Sequence, residues 1–502
     1  MARLLDVVAP APARRPPLAS AALAALAGGL ALLLVAFAGR YGYHRDELYF
    51  LRAGRELAFG YVDQPPLTPL LARAMDALAP GSLVALRVPS ALAAGLTVLL
   101  TGLLAREFGA GRGGQLLAAG CMAVSGILLI TGHLLSTTTF DLLAWTALSL
   151  LLVRALRDGG PVWLLAGAVA GIALQNKVQP AFLLGAVVLG LLVVGPRTAL
   201  RSRWPWLGGL LALAVWAPNL VWQAANGWPQ LELAEAIAAG SSGTSEPWYL
   251  FVPFQLVLVS PLLVPVWAVG WWRLARDPEL RTWRVFAVAY AVLVVVFVLT
   301  GGKPYYIAGL YPVLLAAGAQ PVLAWVRRGA GRLRAGLLAA ALALSLGIDA
   351  TLGLPLVPVE RLADTPVTDI SYDAGEQVGW PALAAAVERA RDELPADARV
   401  VVLAGNYGEA GAVDRYTPGL GPAYSGHNSY WTWGPPPEEA DAVVAVGVPE
   451  DRLARWFGEV RVAGRVDNGV GLDNDEQGTE ILTATGRRLP WSEIWPELRR
   501  LA

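Results

Sequence analysis

The chain has 502 residues, of which 55% are hydrophobic and only 16% are charged. A soluble chain of this length needs more charge on its surface, so the composition excludes an ordinary soluble enzyme and predicts an α-helical polytopic membrane protein. The formal net charge is zero, which gives no basis for a nucleic-acid partner. Cys121 is the one cysteine, so an intrachain disulfide is excluded.

A transmembrane helix needs about 20 apolar residues. The sequence predicts about eleven such segments, and the first run lacks a cleavage-site pattern, which indicates a retained helix rather than a signal peptide. The predicted spans are 18–39, 84–105, 113–132, 138–154, 161–176, 179–195, 204–223, 248–271, 283–300, 304–325 and 335–356.

Basic residues in the short loops predict the orientation, because cytoplasmic loops are enriched in Lys and Arg. With the N-terminus in the cytoplasm, the inner segments hold eighteen arginines, and the outer short loops hold only Lys177 and Lys303. The long first outer loop is left out, because the rule is weak for long loops. We therefore expect a multi-pass protein of the cell membrane with a cytoplasmic N-terminus and an extracytoplasmic C-terminal segment.

Two segments outside the spans are predicted to contain secondary structure. In the first outer loop, 40–83, helices are expected over 46–58 and from Pro66 onward, both lying on the membrane surface. Residues 1–356, with this loop, form the predicted transmembrane domain, and residues 357–502 a small extracytoplasmic α/β domain. Its predicted strands are 398–404, 440–447 and 459–466, and its predicted helices are 380–394, 449–457 and 490–500.

Residues 43–49 place His44, Asp46 and Glu47 directly after the first span. A carboxylate at this boundary could act as a general base toward a sugar or protein hydroxyl. The alternative is that both acids only stabilise a helix N-terminus through its macrodipole, and spacing alone favours that alternative.

The only two lysines, Lys177 and Lys303, both lie at span ends on the predicted outer side. A genome biased toward arginine would replace lysines wherever arginine suffices. The surviving pair therefore favours sites that need a compact ammonium, for which a lipid phosphate is a suitable partner. Chance placement is the alternative.

Asp141 lies near the outer end of the fourth span, where an ionisable residue is costly and is a functional candidate, although an acid at a helix start is also an explanation. Together with His44, His133 and Asp46 it could form a divalent-metal site. No close spacing of His and Asp supports that site, so the metal is left open.

Two further motifs are less specific indicators of function. The turn from Asp63 through Gln64 to Pro66 by itself indicates only a helix break. In the C-terminal segment, 406–410 and 425–434 combine aromatic and amide side chains, which, if exposed, could bind sugar or acceptor and could equally serve packing. Neither a phosphate-binding loop nor a zinc spacing occurs, so nucleotide-driven transport is unsupported.

The order of these motifs resembles the bacterial branch of the protein O-mannosyltransferase family, which includes the lipid A aminoarabinose transferases. The matching features are the acidic pair after the first span, the Pro-Pro-Leu turn at 65–67, Asp141, and Lys303 before Tyr-Tyr. The resemblance covers most of 40–320. It implies a GT-C fold and an inverting, single-displacement transfer of a sugar from a polyprenyl-phosphate donor to an acceptor hydroxyl at the outer membrane face.

The resemblance also implies roles for individual residues. Asp46 matches the catalytic base, and Glu47 would position the acceptor or tune that base. Lys303 would bind the donor phosphate, with Lys177 and Tyr306 assisting. The supporting or substrate-binding candidates are Asp141, His44, His133, Asp63 and Gln64.

Gln64 departs from the family pattern, because many members have histidine before Pro-Pro-Leu. The resemblance leaves the sugar open, and the acceptor could be a protein, a glycan or a lipid. The main alternative function is a transporter or flippase of lipid-linked envelope precursors, which predicts charged or broken helices near the bilayer midplane. A non-catalytic envelope scaffold is the second alternative.

Overall fold

The structure is a computed structural model that describes residues 15–240 and 245–501. Its first part is a bundle of helices, which are α1 (Ser20–Phe37), α2 (Arg45–Arg55), α3 (Leu67–Leu78), α4 (Leu83–Glu107), α5 (Arg112–Ala123), α6 (Gly126–Gly132), α7 (Thr137–Asp158), α8 (Val162–Leu174), α9 (Gln179–Val193), α10 (Arg203–Ala225), α11 (Pro229–Ala238), α12 (Phe251–Val259), α13 (Val264–Arg276), α14 (Val285–Leu299), α15 (Tyr311–Val326) and α16 (Gly331–Gly353).

The predicted spans coincide with helices or helix pairs of this bundle. In the described part of the chain, six helices are long and apolar enough to cross a membrane: α1, α4, α7, α10, α16, and α15 taken with the 3₁₀ turn Pro304–Leu310 that precedes it. Helices α8, α9 and α14 are apolar but shorter. The helical membrane architecture is thus confirmed, while the exact number of spans stays a prediction.

Two predicted spans are broken rather than straight. Helices α5 and α6 meet at an angle of 59°, and the segments Trp248–Val259 and Pro261–Arg276 meet at 84°. At the second break Ser260 has φ of 86°, and its hydroxyl donates to Ser345 Oγ at 2.8 Å. Pro261 follows and lacks the backbone N–H that would continue the helix ladder.

The C-terminal segment folds around a mixed sheet of five strands within the described residues, in the order β2-β1-β3-β5-β4. Strand β1 is parallel to β2 and β3, whereas β5 is antiparallel to β3 and β4. The strands are β1 (Val400–Ala404), β2 (Tyr424–Ser425), β3 (Ala442–Val446), β4 (Phe457–Arg465) and β5 (Glu480–Arg487). The helices are α17 (Val367–Ile370), α18 (Tyr372–Gly375), α19 (Trp380–Asp392), α20 (Tyr407–Tyr416), α21 (Ser429–Thr432), α22 (Glu450–Trp456) and α23 (Trp491–Leu498).

Every predicted element of this segment has a counterpart, but six elements were not predicted: the helices α17, α18, α20 and α21 and the strands β2 and β5. Helix α2 of the first loop shares a buried core with the segment, where Leu48 and Phe50 pack with Val387 and Val444. Helix α3, in contrast, keeps Leu70 and Leu78 exposed. The first loop is therefore built jointly with the C-terminal domain and the bundle.

The loops that were predicted to share one membrane side meet at one end of the bundle, which we call the site end. The backbone N–H of Leu67 donates to the Gln175 carbonyl, and the Asn176 amide donates to the Thr137 carbonyl. The Asn219 side chain of α10 donates to the Phe59 carbonyl. These bonds join the first loop to α10 and to the loops before α7 and α9, so candidate residues far apart in sequence are brought together.

Candidate active site

Asp46 is positioned by the N-terminal cap of α2. His44 is the cap: its Nδ1 accepts from the Asp46 backbone N–H at 3.2 Å, and the Glu47 carboxylate accepts from the His44 backbone N–H at 2.8 Å. Because Nδ1 accepts, Nε2 carries the proton and faces Asp373 Oδ1 at 3.2 Å. The cap therefore holds Asp46 in the first turn of the helix, close to the C-terminal domain.

Glu47 is fully buried in an ion pair with Arg87 of α4. Two nitrogens of the guanidinium donate to its two carboxylate oxygens at 2.9 and 2.8 Å, and the Leu135 backbone N–H donates to it at 2.8 Å. Arg87 also donates to the carbonyls of Ala38 and Gly42. The charge of Arg87 and these hydrogen bonds keep the pKa of Glu47 below its usual value against the effect of burial. The pair joins α1, α2, α4 and the loop before α7.

Asp46 points away from that pair toward the C-terminal domain. The Tyr407 hydroxyl donates to Asp46 Oδ1 at 2.8 Å. Tyr407 lies between Tyr49, at a ring distance of 4.9 Å, and His427, at 4.7 Å. The catalytic candidate of the first loop is thus held by a residue 361 positions away in the sequence.

A second carboxylate, Asp63, lies on the same aromatic wall. The Tyr49 hydroxyl donates to Asp63 Oδ1 at 2.7 Å. Burial raises the pKa of Asp63 to about 7, with a smaller contribution from the negative charge of Asp46. The negative charges of the two carboxylates therefore repel each other. Asp63 is a second candidate for the residue that accepts the acceptor proton.

Lys177 connects three loops at the site end. Its ammonium donates to Thr138 Oγ1 at 3.1 Å and lies 5.0 and 5.5 Å from the ring centres of Tyr305 and Tyr306. Burial lowers its pKa, and the charges of Asp141 and Asp46 oppose that shift. Lys177 and Tyr306, both predicted to bind phosphate, are brought together.

Lys303 follows a tight helix end that the glycines make possible. Gly301 has φ of 65°, and the Gly302 N–H donates to the Phe297 carbonyl at 2.8 Å, which ends α14 in a Schellman-type turn. Burial, followed by the like charge of Lys177, lowers the pKa of Lys303 to about 8. The charges of Asp46 and Asp373 act in the opposite direction. The two lysines and Asp46 thus belong to one electrostatic cluster.

The remaining candidates lie around this cluster. Asp141 is buried in α7, and its charge acts on Lys177. His133 is buried, and burial together with the charge of Arg87 lowers its pKa to about 4, so its imidazole is neutral. Gln64 is buried in the turn before α3, where its carbonyl accepts from Tyr61 N–H.

A divalent metal was left open by the sequence. Among the described residues, no group of three or more His, Cys, Asp or Glu side chains is arranged to hold a metal ion. His44 and His133 instead serve as a helix cap and a buried neutral side chain.

Several residues of the cluster were not singled out from the sequence. Arg87, Asp373 and Thr138 carry no motif that distinguishes them from other polar residues near span ends. The motifs 406–410 and 425–434 were candidate binding surfaces on the condition that they are exposed, but His427 and Tyr430 are buried. The buried part of these motifs packs against α2 and α23, whereas Trp431, Thr432 and Trp433 of the second motif keep exposed surface.

One protein-family model matches part of the chain. The family described as dolichyl-phosphate-mannose-protein mannosyltransferase matches residues 63–222. No curated protein sequence gives a significant match to the chain.

Solved structures match over nearly the whole chain. ArnT from Cupriavidus metallidurans, bound to undecaprenyl phosphate, aligns over 93% of this chain and 98% of its own, with a TM-score of 0.62 and 14% identity. The chain has the GT-C fold. The arabinofuranosyltransferase AftD from Mycobacteria aligns over 95% of this chain and 42% of its own (TM-score 0.51, 16% identity). The oligosaccharyltransferase AglB from Archaeoglobus fulgidus, in complex with an inhibitory peptide and a dolichol-phosphate, aligns over 85% and 69% (0.50, 12%).

The GT-C fold confirms the predicted architecture, a multi-pass membrane bundle with a small C-terminal sheet region. The resemblance to protein mannosyltransferases and ArnT is confirmed in the family match and in the fold. At these identities the solved structures establish the fold and not the reaction.

Proposed function

We propose that this GT-C protein transfers a sugar from a polyprenyl-phosphate donor to an acceptor hydroxyl, with inversion at the anomeric carbon. The observation that carries the proposal is the convergence of one half-buried carboxylate, Asp46, and two half-buried lysines, Lys177 and Lys303, at the site end. The matching fold of ArnT bound to undecaprenyl phosphate supports a lipid-phosphate donor.

Asp46 is assigned as the general base. The acceptor oxygen forms a bond to the anomeric carbon while the bond from that carbon to the phosphate oxygen breaks, and the acceptor proton goes to Asp46. Tyr407 holds one carboxylate oxygen at 2.8 Å, which fixes the orientation of the other toward the acceptor. A base held in this way loses less freedom when the acceptor binds.

Lys177 and Lys303 are assigned to the leaving group. The electron pair of the broken bond goes to the polyprenyl phosphate, whose negative charge grows in the transition state. An ammonium already held in a poorly solvated site stabilises that charge more strongly than the same group in water. Tyr305 and Tyr306 keep Lys177 in place through their ring faces.

Glu47 is assigned a positioning role instead of a chemical one. Both of its oxygens are occupied by Arg87 and by backbone N–H groups. A carboxylate bound on all sides is a poor proton acceptor, whereas the pair fixes the start of α2, to which Asp46 belongs.

The test compares wild type with Asp46→Asn in detergent, using radiolabelled polyprenyl-phosphate mannose, glucose and arabinose with envelope extract as acceptor. We expect the wild type to release label from one donor and Asp46→Asn to lose at least about 100-fold of that rate, since general base catalysis contributes about 10²–10⁴-fold. Asp451→Asn, an exposed acid on α22, is the matched control and should retain the rate.

Other variants separate the alternatives. Asp63→Asn should keep measurable transfer, because Asp63 is assigned no proton transfer. Glu47→Gln should lose activity together with thermal stability, whereas Asp46→Asn should lose activity alone. Equal release by Asp46→Asn and wild type, or loss only in Asp63→Asn, would refute the assignment of the base. A folded wild type that consumes no donor would favour a transporter or scaffold.

A further inference from the structure

A cavity of about 410 Å³ lies between the end of α10, the start of α11 and the helices α21 and α23 of the C-terminal domain. It is separate from the electrostatic cluster of Asp46, Lys177 and Lys303, and no residue that lines it has an assigned role in the transfer reaction. Its volume falls in the range of sites that bind small organic molecules. The chemistry of its walls indicates what it can bind.

Three tryptophans line the cavity: Trp222 and Trp431, which are half-buried, and Trp495, which is only 5% exposed. The indole N–H of Trp431 donates to the Trp495 carbonyl at 3.1 Å, and the N–H of Trp495 donates to the Trp431 carbonyl at 3.1 Å. This reciprocal pair fixes both rings. Trp222 packs on Gly60 of the first loop, where an added Cβ would collide with the indole.

Polar groups stand beside these rings. The amides of Asn226 and Asn428 and the guanidinium of Arg499 line the same cavity. Arg499 lies 4.9 Å from the ring centre of Trp431 and pairs with Glu232 of α11. The guanidinium of Arg499 thus covers one face of Trp431. Apolar indole surface next to hydrogen-bonding groups suits the two kinds of surface on a sugar ring, its C–H face and its hydroxyl rim.

The cavity shares a wall with the candidate active site. Val62 lines it, and the Val62 backbone N–H donates to Ser429 Oγ at 3.0 Å. The next residue along the chain is Asp63, bound by Tyr49 on the aromatic wall that also holds Asp46 through Tyr407. The cavity is thus connected to the two carboxylates through Val62 and the aromatic wall.

We propose that this cavity binds a saccharide and that the acceptor of the transfer reaction is therefore a glycan, held beside Trp222 and Trp431 while one of its hydroxyls reaches Asp46. The inference rests on the proposed glycosyl transfer and adds the chemical class of the acceptor to it. A lipid chain offers no hydrogen-bonding groups to the polar edge of the cavity, which disfavours a purely apolar occupant.

The experiment supplies the labelled donor with two sets of soluble acceptors: oligosaccharides (maltotriose, mannotriose, an arabinan tetrasaccharide and chitotriose) and Ser/Thr-containing peptides. We expect at least one oligosaccharide to take up label and the peptides to take up none. Trp222→Ala and Trp431→Ala should each raise the KM for that oligosaccharide about fivefold to tenfold, while kcat at saturation changes less. Trp248→Ala removes a tryptophan that is 71% exposed and outside the cavity, and should leave the KM unchanged.

Each outcome has a separate meaning. Donor consumption by the wild type with unchanged acceptor KM in both tryptophan variants would overturn the saccharide site and leave the proposed transfer standing. Label transfer to peptides alone would overturn it as well. If the wild type consumes no donor at all, the proposed glycosyl transfer is refuted, and the saccharide site as an acceptor site is refuted with it. Thermal unfolding of each variant, with Trp431→Phe as the conservative replacement, separates loss of binding from loss of fold.

Discussion

Asp46 and Glu47 are adjacent acids in the first turn of α2, yet their side chains leave the helix about 100° apart, as successive helical residues do. Glu47 points into the bundle to Arg87, and Asp46 points to Tyr407 in the C-terminal domain. One acid is saturated with hydrogen bonds, whereas the other is half-buried and is held through one of its oxygens. The division of labour between positioning and proton transfer follows from that geometry.

The ammonium of Lys303 has a pKa of about 8, which predicts the pH dependence of donor binding. Lys303 is charged below pH 8 and becomes neutral as the pH rises through it, so the donor KM should rise above about pH 8. In Lys303→Arg this rise in donor KM, the alkaline limb of the pH profile, should move to higher pH, because a guanidinium stays protonated throughout. Lys303→Ala should raise the donor KM about tenfold to 100-fold at neutral pH, from the loss of a charged hydrogen bond.

The measurement is the initial rate of label release against donor concentration at each pH. Both lysines of the chain belong to the candidate site, so neither can serve as a control. The control is Arg461→Lys, which replaces one basic side chain by the other at an exposed position of β4. This variant should leave the alkaline limb in place. A limb identical in wild type and Lys303→Arg would contradict a phosphate-binding role for Lys303.

The sequence identified the chemical groups of the site but not their partners. Asp46, Lys177 and Lys303 stood out because of their position at span ends and, for the lysines, their rarity. The hydrogen bond from Tyr407 to Asp46 joins residues 361 positions apart, and no local pattern indicates such a contact. For the same reason the spacing could not distinguish Asp46 from Glu47, since Arg87 lies 40 residues further along.

Among the elements, the apolar spans were the most predictable because length and hydropathy are local properties of the chain. The break at Ser260 had a local signal in Pro261, whereas the break between α5 and α6 occurs at Val124 and Ser125 without proline. Strand β5 was missed because its pairing with β3 and β4 is set by the rest of the sheet, and strand propensity depends on such neighbours.

The crossing of α13 and α15 shows how closely the helices of the bundle pack. Gly270 and Gly318 face each other: a Cβ at Gly318 would lie 1.9 Å from the Val266 carbonyl oxygen, and one at Gly270 would lie 1.7 Å from the Leu314 carbonyl oxygen, both far inside van der Waals contact. Small residues that allow such backbone contact are a general means of helix association in membranes. Neither glycine can gain a methyl group unless the two helices move apart.

Gly318→Ala is therefore expected to destabilise the bundle by about 1–3 kcal/mol, the usual cost of overpacking. The measurement is the thermal unfolding midpoint in detergent. Gly347→Ala in α16 is the control, because a Cβ there would meet nothing within 4 Å. It should leave the midpoint unchanged or slightly raised, since alanine favours helix over glycine. Equal midpoints for the two variants would mean that the crossing of α13 and α15 tolerates separation.

The candidate site is assembled from the first loop, the helical bundle and the C-terminal segment. Arg45 of α2 pairs with Glu376 of the C-terminal segment at 3.0 Å, and the Tyr43 hydroxyl accepts from Arg415 of α20. The opposite end of the bundle has its own charged cluster, in which buried Glu107 pairs with Arg15, Arg154 and Arg157. These two ends are the two surfaces that the distribution of basic residues assigns to opposite sides of the membrane.

That assignment predicts which positions an impermeant reagent can reach. In a Cys121→Ala background, which removes the buried native thiol, Asp451→Cys lies on the exposed surface of the C-terminal domain and Ala330→Cys in the exposed turn between α15 and α16. The arginines around that turn favour the cytoplasmic side. A membrane-impermeant maleimide should therefore label Asp451→Cys in intact cells and Ala330→Cys only after lysis. The reverse pattern would place the site end in the cytoplasm, where the base and both lysines would have to meet a donor presented from the inner leaflet.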